Sequence, residues 1–296
     1  YRGRALGFSA AGISAGIAVI APINDAIISA HGWRTAWVFS GFLIGAVVLL
    51  PTILFMRQTP ESMGLLPDGD EAPPPVPAAG QAAAARPQEE IWTLREAVRT
   101  PALWLMLAGL DLAGMGVSGI TIHQVPYVTD LGYAPAVAAS MITVWGIFAL
   151  TAKIVFGFLG ERYTVRYLTA ICFFGSALGV LIFMQADRGI FFIYAYAVVH
   201  GLLRGGYPLL VPLTWANYYG RTFLGTIRGV IAPFSLISSA GGPVFAGWLY
   251  DRTGNYTIAF GMFIVALALG GLLILLAKPP TRSIASAGEL TQAPAR

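Results

Sequence analysis

Charge is what this sequence has least of. Of 296 residues only 11% are Asp, Glu, Lys or Arg, about half the share of a soluble globule, and lysine occurs only at Lys153 and Lys278. That scarcity excludes an ordinary water-solvated surface. Cysteine occurs once, at Cys172 in an apolar run, which excludes an internal disulfide framework and a multi-cysteine metal site. Histidine occurs at positions 31, 123 and 200 only. No Gly-rich phosphate loop, metal-ligand spacing or nucleophile–base constellation is present, so neither a cofactor nor an enzymatic reaction is expected. The formal charge of +4 is scattered between apolar runs rather than gathered into a patch, and nucleic acid is not an expected partner.

What the chain has instead is apolar length. Hydrophobic residues make up 56% of it and its mean hydropathy is +0.71, the composition of a protein whose solvent is largely lipid. Crossing a hydrocarbon core takes about 20 helical residues. Eight stretches are long enough: 5–30, 36–56, 103–128, 136–159, 167–185, 190–216, 229–250 and 257–277. They lack sustained two-residue alternation and far exceed the ~10 residues of a membrane strand, so an all-α membrane bundle is expected.

The positive-inside rule orients these spans. With the start of the first span in the cytoplasm, Arg2, Arg4, Arg57, Arg86, Arg95, Arg99, Arg162, Arg166, Arg221, Arg228, Lys278, Arg282 and Arg296 fall inside. Arg34, Arg188 and Arg252 fall outside, while Lys153 and Arg204 lie within spans. The chain then divides into 1–56, a cytoplasmic connection over 57–100, a six-span region over 101–278 and a cytoplasmic tail over 279–296. Residues 68–88, rich in Pro, Ala and Gln, form a linker, and IWTLREAVRTPALW after it has the pattern of a short amphipathic helix at the membrane interface.

Two spans before the linker and six after it are explained by an internal repeat. RALGFSAAGISAGIAVIAP followed by HGWRTAWVF is similar to IRGVIAPFSLISSAGGPVF followed by TGNYTIAF. Each opens on Arg and Gly, passes small residues to a proline (Pro22, Pro243) and turns through Gly-x-x-Thr (Gly32 to Thr35, Gly254 to Thr257). The first two spans therefore correspond to the last two, and the half before the linker is expected to lack its first four helices.

On these features the chain resembles the major facilitator superfamily, which implies helices 5 to 12 of a twelve-helix bundle. GFLGERYTVR, residues 157–166, resembles that family's cytoplasmic loop motif between helices 8 and 9, with Glu161 for Asp and Thr164 for Gly. Gly242-Pro243 resembles the helix 11 counterpart of the antiporter motif. TPESMGLLPDG, His123-Gln-Val-Pro-Tyr and NYYGRTFLGTIRG resemble the monocarboxylate and oxalate/formate antiporter-like branches. In those relatives a basic residue on helix 8, followed four positions later by Gly, contacts a carboxylate. Lys153 and Gly157 have that spacing. The resemblance implies a transporter that works as a monomer.

Independently of family, a charge near the bilayer centre costs at least ~2.5 kcal/mol and marks a cavity or a partner. Lys153 lies roughly 8 Å to the cytoplasmic side of its span's midpoint, Asp111 roughly 7 Å, and Arg204 close to its own midpoint. Lys153 is open to three readings: a snorkelling cation, an ion-pair partner of Asp111, or a ligand for an anion. His200, four residues before Arg204, shares its helical face and, with Asp111, is a candidate proton carrier. His123 joins Lys153 and Arg204 as a candidate substrate ligand. Gly157, Glu161, Arg162, Arg166, Gly242 and Pro243 are candidate gating residues, with Glu161 capping the first span beside Arg2 and Arg4. Asn24 and Asp25 lie toward the outer end of the first span, open to an exit-path role or to simple interfacial solvation. The small-residue runs SAAGISAG, SSAGG and HGLLRGG are packing seams.

These residues predict a secondary transporter in the inner (cell) membrane, with its C-terminus cytoplasmic. Its expected substrate is a small organic anion, a mono- or dicarboxylate held near the midplane between two halves and coupled to protons or to anion exchange. The alternatives are a drug or metabolite exporter of the same superfamily and a non-transporting membrane sensor or accessory fragment.

Overall fold

The computed structural model describes residues 12, 16, 20, 23, 24, 26–28, 30–57, 92–220 and 222–280. Two compact units are present, one over Gly12–Gln88 and one over Glu89–Arg296. Helix is the regular structure throughout the described residues. In lipid no water is available to satisfy an open backbone, so a helix is the natural state for such apolar runs.

In the first unit, the described residues from 12 to 31 are helical, and α1 (Trp33–Phe55) follows the turn at Gly32. The chain enters α1 through a positive φ of 82° at Gly32, a conformation that costs glycine little. A π-helical turn, Gly45–Leu49, lies inside α1. The Ser40 hydroxyl donates to Asn24 Oδ1 at 3.3 Å, tying α1 to the helical residues before it. Trp37, Phe42 and Phe55 are 74%, 77% and 75% exposed, which suits a helix turned toward lipid. The first expected span falls mostly outside the described residues, as do Asp25, Arg2 and Arg4, the middle of the linker and the tail beyond residue 280.

The second unit opens where a short amphipathic helix is expected, on the one-turn helix α2 (Leu94–Ala97), which packs on that unit's own core. Thr93 and Glu96 form a reciprocal capping box, with the Thr93 N–H donating to Glu96 Oε2 at 2.8 Å. Trp92 and Ala97 are buried, and the Trp92 ring meets Tyr219 edge-on at 6.1 Å. Thr100 donates its single proton to the Ala97 carbonyl (2.7 Å), so Tyr219 is the donor in the 2.8 Å bond between their hydroxyls.

After Thr100 caps it, α3 runs over Pro101–Asp130, followed by α4 (Pro135–Arg162) and α5 (Val165–Phe183). Then come α6 (Ile190–Arg204), α7 (Tyr207–Tyr219), α8 (Leu224–Thr253) and α9 (Thr257–Leu276). The expected single span 190–216 is broken into α6 and α7. Pro208 has no N–H to return to the Arg204 carbonyl, and flanking Gly205-Gly206 imposes no side chain on the bend. Among the described residues, six helices are long and apolar enough to cross a membrane: α1, α3, α4, α5, α8 and α9. Their ends lie two to five residues beyond several expected limits, because interfacial turns remain helical past the hydrocarbon.

Pairing runs α8–α3–α9–α5–α6–α4. Glycine permits the closest approaches, since packing rather than hydrophobic burial holds helices together in lipid. A Cβ on Gly270 of α9 would stand 2.7 Å from the Gly109 carbonyl oxygen of α3. Hydroxyls are satisfied locally: Thr169, Ser176 and Thr214 donate to carbonyls one turn back at 2.9, 2.7 and 2.7 Å.

Candidate functional site

Small residues one turn apart on α6 build the first part of the site. A Cβ on Gly201 would stand 2.8 Å from the Trp145 carbonyl oxygen, and one on Gly205 would stand 2.7 Å from that of Ala149 and 2.6 Å from the Ala152 Cβ. Only glycine at these positions lets α6 settle on the Trp145–Ala149–Ala152 face of α4. That contact sets Arg204, at the end of α6, within electrostatic reach of Lys153 on α4. Lys153 is 6% exposed. The Arg204 guanidinium carbon lies 5.3 Å from the Trp145 ring centroid, and its Nε is enclosed with no hydrogen-bond partner among the described residues.

His200 is joined to this pair through Trp145. The indole N–H can only donate, so the 3.1 Å bond from Trp145 Nε1 makes His200 Nδ1 an acceptor. The neutral ring therefore carries its proton on Nε2, an enclosed atom with no partner among the described residues. To take a second proton at Nδ1, His200 must give up Trp145. Its ring stacks on Tyr196 at 4.9 Å, and the Tyr196 hydroxyl donates to Gln124 Oε1 at 3.0 Å. A chain of contacts thus runs from Arg204 by cation–π to Trp145, by hydrogen bond to His200, by ring stacking to Tyr196 and by hydrogen bond to Gln124 on α3.

Asp111 lies on another wall. It lines a cavity of about 340 Å³ between α3, α7 and α8, together with Gly114, Tyr207, Trp215, Arg228, Ser235 and Ser239. Ser235 donates to Asp111 Oδ1 at 2.7 Å, and Ser238 donates to the Asp111 backbone carbonyl. Tyr207 lines that cavity and lies within electrostatic reach of both Arg204 and Asp111.

Both ring nitrogens of His123 are committed to the protein. Nε2 is 3.0 Å from the Pro243 carbonyl oxygen, which can only accept, so Nε2 carries the proton. Nδ1 then accepts from the Tyr256 hydroxyl at 3.2 Å. His123, a candidate substrate ligand, thus ties α3 to α8 at Pro243. The same crossing explains Gly242: a Cβ there would collide with the Met115 carbonyl oxygen of α3.

Gly157 is buried on α4, while Glu161 and Arg162 are exposed at its end. Arg166 donates to the Tyr167 hydroxyl at 3.0 Å, while its Nε and Nη1 are enclosed without partners among the described residues. The capping of the first span by Glu161 falls outside the described residues. Arg228, Tyr207, Trp145 and Ser235 were missed as site residues by sequence reasoning. Arg228 was counted only as a cytoplasmic charge, and the others carry no signal until α4 meets α6 and α3 meets α8. The one available hint was Tyr207, three residues from Arg204 and so on the same helical face.

Comparison with known proteins follows the same lines. The family model for the Major Facilitator Superfamily matches residues 1–133 and 108–296. Monocarboxylate transporter 12-B of Danio rerio is 26% identical over 91% of this chain and 59% of its own length. The oxalate:formate antiporter of Oxalobacter formigenes is 24% identical over 84% of this chain and 54% of its own length. The sialic acid transporter NanX of Escherichia coli (strain K12) is 23% identical over 92% and 62%. The chain spans about three fifths of the length of the curated relatives it matches.

Proposed function

The chain belongs to the Major Facilitator Superfamily, and from that premise we propose that it is the larger part of a secondary transporter for a small organic anion, working by alternating access. The observation that carries the reading is Arg204: a guanidinium at the end of α6 whose Nε is enclosed with no partner among the described residues, within electrostatic reach of the second cation Lys153. An enclosed guanidinium nitrogen without an acceptor is unfavourable in a low-dielectric interior, and an anion supplies that acceptor. A carboxylate placed at this pair meets both charges and supplies the missing acceptor for Nε. Relatives named for monocarboxylates, for oxalate and formate, and for sialic acid support an organic acid as the cargo.

In this reading the described helices belong to a twelve-helix protein of which the chain holds eight, inserted in the cell (inner) membrane with its C-terminus in the cytoplasm. It acts as a monomeric carrier rather than an enzyme. Lys153 and Arg204 bind the substrate carboxylate, and His123 shapes the path by holding the Pro243 bend. Asp111 and His200 carry the coupled proton, unless the driving step is exchange of one anion for another. Gly157, Glu161, Arg162, Arg166, Gly242 and Pro243 serve the gates. Proteoliposomes holding the complete protein are expected to accumulate labelled mono- or dicarboxylates, with uptake abolished by Lys153→Ala and by Arg204→Ala. Unchanged uptake in both variants refutes the anion site.

A further inference from the structure

The basic pair accounts for a carboxylate but not for the cavity between α3, α7 and α8. That cavity carries Asp111 and Arg228 on the same lining, placing opposite charges in one small space. Its volume, about 340 Å³, lies at the small end of the range for small-molecule sites. Arg228 and Ser235, the serine that holds Asp111 Oδ1, are seven residues apart on α8. That separation is two helical turns, or ~10 Å along the axis. A carboxylate has about four acceptor positions, and Ser235 fills one of them at 2.7 Å. Arg228 makes no hydrogen bond or ion pair to any other described residue.

Such a lining is neutral overall but strongly dipolar. A plain carboxylate that pairs with Arg228 leaves its apolar end against Asp111, whose remaining acceptors then lose water without gaining a donor. A ligand with an ammonium at the end opposite its carboxylate complements both poles. Ser239 and Tyr207 add hydroxyls to the lining, and Trp215 adds a flat apolar wall. We infer that the transported acid is zwitterionic: an amino carboxylate whose ammonium binds Asp111 and whose carboxylate binds Arg228 in the cavity between α3, α7 and α8. The inference rests on the transport reading, and makes this cavity a second station for the substrate, with Tyr207 of its lining within electrostatic reach of Arg204.

The test compares two acids of equal length, ε-aminocaproate and caproate, as labelled substrates in proteoliposomes of the complete protein. The wild type is expected to take up the amino acid with a kcat/KM about tenfold above that of the plain acid, the value of one hydrogen-bonded charge. Asp111→Asn is expected to bring that ratio to about one. The ratio is unaffected by a general loss of coupling or of folded protein, which lowers both rates together. Asp111→Glu keeps the acceptor and moves it by one methylene, so it is expected to retain the preference and shift it to the acid one carbon shorter. Equal uptake of the two acids by the wild type, or a ratio that survives Asp111→Asn, overturns the inference and leaves the anion reading intact. Failure of every acid to enter, with or without an amino group, overturns both.

Discussion

Replacing Arg204 by Met separates stability from function at the proposed site. Met keeps an unbranched stem as far as the position of Nε, and the α6–α4 contact set by Gly201 and Gly205 is preserved. Three effects change. The enclosed Nε, which lacks a partner, disappears, and removing an unsatisfied buried donor is worth ~1–3 kcal/mol. The cation–π contact with Trp145 at 5.3 Å is lost, costing ~0.5–2 kcal/mol. The electrostatic strain that Arg204 places on Lys153 is also relieved. The net expectation is a ligand-free protein more stable than the wild type by ~1 kcal/mol and inactive in uptake. Denaturant unfolding in detergent with and without substrate is the assay. A carboxylate at 100 times its Kd should stabilise the wild type by ~2.7 kcal/mol and leave Arg204→Met unmoved. If Arg204→Met is less stable than the wild type without ligand by more than ~1 kcal/mol, the guanidinium is a structural member of the α6–α4 contact and the reasoning fails.

Two further outcomes check the geometry. Gly205→Ala places a methyl 2.6 Å from the Ala152 Cβ and should destabilise by ~1–3 kcal/mol through overpacking, whereas Gly146→Ala, with nothing within 4 Å of the new carbon, should gain up to ~1 kcal/mol of helix propensity; equal unfolding midpoints for the two variants refute the close α6–α4 approach. His123→Phe should lower stability by ~1–3 kcal/mol by orphaning the Pro243 and Tyr256 partners while leaving KM for the acid unchanged. A raised KM at unaltered stability returns His123 to the role of ligand.

Much of the fold was legible because lipid imposes one simple demand, that backbone polar groups be satisfied within the segment. Apolar length alone therefore located α3, α4, α5, α8 and α9 to within a few residues, and the recurrence of Gly-x-x-Thr anticipated the turns. Gly32 and Gly254 both adopt positive φ, 82° and 69°. The break between α6 and α7 was also written in the chain, in Gly205-Gly206-Tyr207-Pro208, but apolar length is blind to it: hydropathy runs straight through a bend that only backbone hydrogen bonding detects. The α2 segment was legible as a short amphipathic turn, but such a turn presents the same pattern whether its apolar side meets lipid or protein, so its contact of Trp92 with Tyr219 is visible only in the fold.

The candidate site divides in the same physical way. Lys153, Arg204 and Asp111 announced themselves because a charge in an apolar run is costly wherever the helix packs. Their partners did not, because partnership is a property of helix pairing and not of any one helix. Asp111 and Ser235 are 124 residues apart, and His123 and Tyr256 are 133 apart; no periodicity in either segment encodes those meetings. The glycines supply the missing link. Gly242 and Gly205 look like ordinary small residues in sequence, yet each marks where one helix presses on another, and Asp111, Arg204 and His123 all lie within about three turns of such a crossing. In a membrane protein, a glycine that admits no Cβ therefore locates a helix contact, and a charged or imidazole side chain a few turns away on the same face is the first place to look for the partner that sequence leaves unnamed.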